Sequence, residues 1–266
     1  MRRAYADGPF GQIHYCHGTS GRPVVMLHQA PMTSRQFDAV YPLMAARGFR
    51  PIGIDAPGFG QSASPDFVPT IDDWARVVVP VLTALHVEKT DVVGHHTGAL
   101  VAAAFCIGHP ELVRSLVLHG LVLPTDEERK QRLEHFAGSE QHFVYREDGA
   151  HLTEVFMLRK RMHGGPRPDP KLLTRYVVEQ FMGTGEFWHG HHAAYQYDLA
   201  AVVPRLPHRT LVMSNTGDVL HQTTLRIAQL RPDLRIEILS GGGVDIVDEQ
   251  PSAWASVVCD YLDEES

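Results

Sequence analysis

Cysteine is scarce in this chain of 266 residues, with Cys16, Cys106 and Cys259 far apart and odd in number. That spacing fits reduced, buried thiols better than a disulfide framework or a cysteine zinc site. A basic excess is missing too, since the formal charge is -7 and the isoelectric point is near 6.2. Phosphate backbones are bound by concentrated basic surface, so a nucleic-acid partner is not expected. The one dense basic cluster, Arg159, Lys160 and Arg161, reads as a solvated helix face. No apolar run approaches the ~18 residues of a membrane span, and MRRAYADGPFG lacks the apolar stretch of a signal peptide. No membrane association and a cytoplasmic location are therefore expected. Glycine-rich phosphate loops are also lacking. Gly241, Gly242 and Gly243 follow the last expected strand and open no βαβ unit, so no cofactor is expected.

What is present is an ordinary globular composition, 44% hydrophobic and 21% charged, suited to one large domain. Short β-branched runs recur at Pro23–Leu27, Arg50–Ile54, Thr90–Val93, Ser115–Leu118, Arg209–Met213 and Arg235–Leu239. Helical stretches lie between them: Thr33–Arg47, Ile71–His86, Ala99–His109, Leu220–Leu230 and Ser252–Asp263. This alternation predicts a mostly parallel sheet flanked by helices. Thr70 and Asp73 form a capping-box pattern, and Pro80 should kink the helix that they open. The helix from Ala99 is apolar all round and should lie buried on the sheet. Ahead of it, Ala4–Tyr5 and Gly11–Cys16 suggest a hairpin turning at Asp7–Gly8.

From about Pro124 to Pro204 the rhythm stops, and the segment is helical, charged and aromatic, broken at Gly164, Gly165, Pro166, Pro168 and Pro170. Its length and apolar content exclude a structureless loop, and a helical cap is expected. The chain thus divides into core residues 1–123, cap residues 124–204 and core residues 205–266. Ten of the 22 aromatics fall between Phe136 and Tyr197, among them Phe143, Phe187, Trp188 and Tyr195. Packing of small helices and lining of a substrate pocket are both open for them.

Four strand-end patterns then coincide in order: Leu27 into His28-Gln29-Ala30-Pro31, Ile54 into Asp55-Ala56-Pro57-Gly58-Phe59-Gly60-Gln61-Ser62, Val93 into Gly94-His95-His96-Thr97-Gly98, and Met213 towards Gly217-Asp218. Over essentially the whole length this resembles the α/β-hydrolase superfamily. The resemblance implies that fold, with an eight-stranded sheet, a nucleophile elbow at residue 96, an acid at Asp218 and a histidine after the last strand. Here the elbow carries His96, and the last-strand loop carries Val244 where relatives have histidine. No realignment restores it, because the last histidine in the chain is His221. Loss of one triad member typically lowers turnover by ~10⁴-fold or more, so an ordinary Ser-His-Asp esterase is excluded.

An imidazole reaches farther than a serine hydroxyl, and the space beside Asp218 has been vacated. His96 is therefore expected to bond Asp218 directly, as a dyad whose other ring nitrogen serves as general acid or base. The backbone amides of Gln29 and Thr97 are expected to form an oxyanion hole, with the Gln29 side chain as a further donor. His28, His119, Phe143, Trp188, His221 and Val244 are the candidate substrate-binding residues. His95 should point into the packing below the elbow. The cluster from Trp188 to His192 lacks a cysteine or carboxylate at ligand spacing, so no metal is expected. Such a site suits a small apolar or aromatic organic substrate and enolate-type chemistry, as a lyase, isomerase, decarboxylase or cofactor-free oxygenase. Two other readings stay open: a residual ester or lactone hydrolase using His96, and a catalytically dead ligand-binding relic. For assembly, a homodimer stands beside the monomer.

Overall fold

The computed structural model describes residues 1–165, 168–206 and 209–264, so the expected break at Pro166 lies outside the described residues. Eight strands form one sheet: β1 (Arg2–Gly8), β2 (Gly11–His17), β3 (Arg22–Leu27), β4 (Phe49–Ile54), β5 (Thr90–His95), β6 (Val113–His119), β7 (Thr210–Asn215) and β8 (Arg235–Leu239). Their order is β1-β2-β4-β3-β5-β6-β7-β8. Among the described residues only the pairs made by β2 are antiparallel, so the sheet is mostly parallel, as the alternation predicts. The first hairpin turns at Pro9–Phe10 and not at Asp7–Gly8, because β1 pairs in full register from Arg2↔His17 to Gly8↔Gly11. Gly11, at φ +113, takes the backbone conformation that closes this turn.

The helices are α1 (Tyr41–Ala46), α2 (Ile71–Ala75), α3 (Val78–Ala84), α4 (Thr97–Gly108), α5 (Asp126–Phe136), α6 (Ala150–Met162), α7 (Pro170–Phe181), α8 (His189–Gln196), α9 (Leu199–Val202), α10 (His221–Leu225), α11 (Ile227–Leu230), α12 (Ile246–Glu249) and α13 (Pro251–Asp263). The capping box of Thr70 and Asp73 forms at the start of α2. Pro80 breaks rather than kinks the expected helix: its ring would meet the carbonyl of Arg76, and the chain interrupts there and restarts as α3. The Thr33–Arg47 and Leu220–Leu230 stretches likewise split into shorter pieces.

Apolar side chains pack on both sheet faces. Trp74, Leu100 and Phe105 belong to one cluster, with α2 and α4, and Phe37, Met44 and Trp254 to the other, with α1 and α13. Helix α4 is buried from Thr97 to Cys106, as its all-round apolar sequence requires. Between β6 and β7 the chain forms α5 to α9 in place of strands. After β3 the chain crosses outward to β4, then returns to place β5 on the other side of β3. The loops leaving β3 and β5 therefore diverge, and a crevice opens between them at the C-terminal edge.

Candidate active site

The elbow after β5 depends on two close approaches. A Cβ on Gly94 would lie 2.2 Å from the Gly98 carbonyl oxygen, and one on Gly98 would lie 2.0 Å from that of Leu27. Glycine at both positions lets β5 fold straight into α4. His96 between them has φ 50 and ψ -115, a strained conformation for a side-chain-bearing residue, worth about 1–3 kcal/mol. Its amide donates to the His119 carbonyl at 2.8 Å, and its own carbonyl accepts from the Ala99 amide at 2.8 Å.

The expected pairing is present. His96 Nε2 and Asp218 Oδ2 are 2.7 Å apart, with the Asp218 side chain fully buried and that of His96 12% exposed. The other Asp218 oxygen accepts from the Leu220 amide at 2.8 Å. Burial pushes the Asp218 carboxyl up, but the His96 ring, its hydrogen bond and the Leu220 amide outweigh that and hold it below its ordinary value. His96 Nδ1 has no hydrogen-bond partner among the described residues.

Gly120 makes this geometry possible and was not anticipated from the sequence. At φ +71 directly after β6, its missing Cβ would fall 2.2 Å from His96 Cδ2 and 2.6 Å from Nε2. A glycine directly after the strand beside the elbow is the available signal.

His96 opens into a cavity of about 480 Å³ whose lining includes Thr97, Val122, Phe143, Tyr195 and Val244. A larger groove of about 600 Å³ between α6 and α7 is lined by no titratable side chain, whereas His96, His135, Glu140 and His191 all line the smaller one. Of the ten residues singled out from the sequence, the cavity brings together His96, Thr97, Gln29, Phe143 and Val244, with Asp218 bonded behind His96. His28, His119, Trp188 and His221 are not in its lining. His28 Nε2 accepts from the Ala56 amide at 2.9 Å, and its Nδ1 donates to the Gln29 carbonyl at 2.8 Å. It therefore ties two loops together. His119 Nδ1 accepts from the Trp254 indole at 2.7 Å, and its Nε2 donates to Asn215 Oδ1 at 3.0 Å, which leaves no nitrogen for a substrate. His221 bonds Ser214 Oγ through Nδ1 at 2.9 Å, and the Trp188 ring packs on His189 and His192.

The expected oxyanion hole needs correction. The Gln29 amide already donates to Gln36 Oε1 at 2.9 Å, and its side chain donates to Asp245 Oδ1 at 2.9 Å. The amide of Ala30 has no acceptor among the described residues and lines the cavity, as does Thr97 in the unbonded first turn of α4. Among the described residues, the amides of Ala30 after β3 and Thr97 after the elbow are thus left without an acceptor. Gln36, engaged by Gln29, donates in turn to His95 Nδ1 at 2.8 Å. His95 is fully buried beneath the elbow, as expected, with its ring stacked on His96 at 4.3 Å.

Arg159 is not on a solvated face. It is 7% exposed, lines the cavity, bonds Asp245 and lies over the Tyr176 ring, whereas Lys160 and Arg161 are exposed. A helix-face reading finds it, because Val155 four residues earlier is also buried. Among the described residues no cluster of histidine, cysteine or acidic side chains has the geometry of a metal site. No helix among them is long and apolar enough to cross a membrane.

With elbow, acid and crevice in place, the comparisons with known proteins are consistent. The family model for the alpha/beta hydrolase fold matches residues 22–180, and the chain belongs to that family. A 2-hydroxymuconate semialdehyde hydrolase of Pseudomonas sp. strain CF600 is 27% identical over 92% of this chain and 88% of its own. A haloalkane dehalogenase of Agrobacterium fabrum is 29% identical, but over 58% of this chain and about half, 53%, of that protein. Among solved structures, the enol-lactonase of Burkholderia xenovorans LB400 superposes with a TM-score of 0.81 at 19% identity, covering 98% of this chain and 100% of that one. At that identity the likeness speaks for the fold alone.

Proposed function

We propose that the protein is an enzyme acting on a small apolar or aromatic organic substrate through the His96–Asp218 dyad, without a hydrolytic triad. The observation that carries this reading is the 2.7 Å contact of His96 Nε2 with Asp218, in a site where Val244 stands in place of the base. Asp218 fixes the tautomer and steadies the imidazolium, Nδ1 takes or gives a proton, and the Ala30 and Thr97 amides hold an enolate or phenolate oxygen. Proton transfer of this kind contributes roughly 10²–10⁴-fold and an oxyanion donor a comparable factor, which is enough for isomerase, lyase, decarboxylase or cofactor-free oxygenase chemistry. The 124–204 segment serves as cap over the cavity, closing it above the two core parts.

Loss of α-proton exchange from small ketones in deuterated water is the direct test, read by proton NMR. His96→Ala and Asp218→Asn should each reduce exchange on the order of 10²-fold or more while the fold is retained. Unchanged rates in both variants exclude the dyad. A second reading, residual ester or lactone hydrolysis by attack of His96, is favoured by the hydrolase names of the relatives. It requires nitrophenol release from short acyl esters that disappears in His96→Ala, and silence across such esters removes it.

A further inference from the structure

We propose that His191 is a second catalytic residue in the same cavity, paired with Glu140, and that the two histidines move a proton between two carbons of one enolisable carbonyl compound. The inference rests on the His96 reading and specifies its reaction and substrate class. His191 lies on α8, and its Nδ1 is 2.9 Å and 3.0 Å from the two Glu140 oxygens. Its ring stacks on Phe136, with centroids 4.4 Å apart and planes 10° from parallel. Two contacts thus fix the ring plane, as Asp218 and His95 fix that of His96. His191 Nε2 has no partner among the described residues, and His191 and His96 both line the cavity. His135, which also lines it, has no carboxylate partner among the described residues.

The two pairs differ in access. The His96 and Asp218 side chains are 12% and 0% exposed, those of His191 and Glu140 32% and 19%. The inner histidine is shielded for abstracting a carbon-bound proton, and the outer one can renew its proton from water. For a β,γ-unsaturated ketone, His96 Nδ1 removes an α-proton, and the C–H electron pair becomes a dienolate whose oxygen faces the Ala30 and Thr97 amides. The His191 imidazolium then gives its proton to the γ-carbon, the double bond moves into conjugation, and the carbonyl re-forms. One proton leaves the substrate and one enters, and solvent resets both rings.

The probe is cyclohex-3-en-1-one in deuterated water, with product and label position read by NMR after subtraction of the uncatalysed rate. Wild type should form the conjugated ketone with deuterium at the γ-carbon. His191→Gln should lower conjugation on the order of 10²-fold and by far more than it lowers α-exchange, and Glu140→Gln should fall in the same direction by less. Circular dichroism and thermal unfolding verify that both variants are folded. Conjugation at the wild-type rate in His191→Gln, or transfer of the substrate's own α-hydrogen to the γ-carbon, overturns the proposal and leaves the His96 dyad standing. Absence of α-exchange in the wild type overturns the dyad and this proposal together.

Discussion

His96 and His119 are neighbours at the C-terminal edge of the sheet, and they are used in opposite ways. His119 ends β6 and His96 directly follows β5, and the His96 amide donates to the His119 carbonyl at 2.8 Å. The His119 ring has both nitrogens engaged, by Trp254 and Asn215, and is fully buried. Through Asn215, which donates to the Gly241 and Gly243 carbonyls at 3.1 Å each, it anchors the loop that carries Val244. The His96 ring has one nitrogen on Asp218 and one unpartnered, and it borders the cavity. The two rings differ in how many nitrogens are already committed, and only a ring with an uncommitted nitrogen can exchange a proton with a ligand.

The largest way to break that contrast is Gly120→Ala. The added methyl would overlap His96 Cδ2 and Nε2, and alanine would be strained at φ +71. The ring must swing off Asp218, so proton exchange should fall on the order of 10²-fold or more. Stability should drop by about 1–3 kcal/mol in denaturant titration. Retained exchange would mean that the ring does not work from its place beside Asp218.

A smaller effect, on stability and not on chemistry, is expected of Trp254→Phe. It removes the indole donor from His119 Nδ1 and leaves a buried acceptor unpaired, at about 1–3 kcal/mol. Proton exchange should stay within about threefold of wild type, since His96 keeps its partner. A collapse of exchange with intact folding would move His119 into the catalytic group.

The fold was legible because its signals are local: β-branched runs, the glycines around the elbow and the capping box each lie within a few residues. The dyad was legible from two such positions together with one size argument, that imidazole spans what serine does not. The oxyanion donor was misplaced by one residue, because which amide is free depends on Gln36, seven positions on, capturing Gln29. Arg159 read as solvated because its partner Asp245 lies 86 residues away, and pairing at that range leaves no local pattern. His119 reads as a candidate substrate-binding residue for the same reason, since Trp254 is 135 residues distant. Hydrogen-bond commitment is a tertiary property, and it decides most of what a polar residue at the site can do.

The smallest expected effect sharpens the same contrast through pH. Burial pushes the His119 ring from its ordinary 6.5 down to about 4, so between those values the unfolded chain binds the proton and the folded one does not. Folded-state stability therefore falls as pH drops through that window. His28 and His95 are shifted in the same direction by burial, while Glu179, raised from 4.5 to about 7 by its own burial, acts oppositely. The wild-type curve mixes these contributions, and the difference between it and a variant isolates one. His119→Gln keeps an acceptor for Trp254 and a donor for Asn215 but does not titrate. At about pH 7 the variant should be slightly less stable than wild type in urea, and at about pH 5 the gap should narrow or reverse. Parallel curves would show that His119 titrates alike in the folded and unfolded chain, and its two hydrogen bonds would then not distinguish it from an exposed histidine.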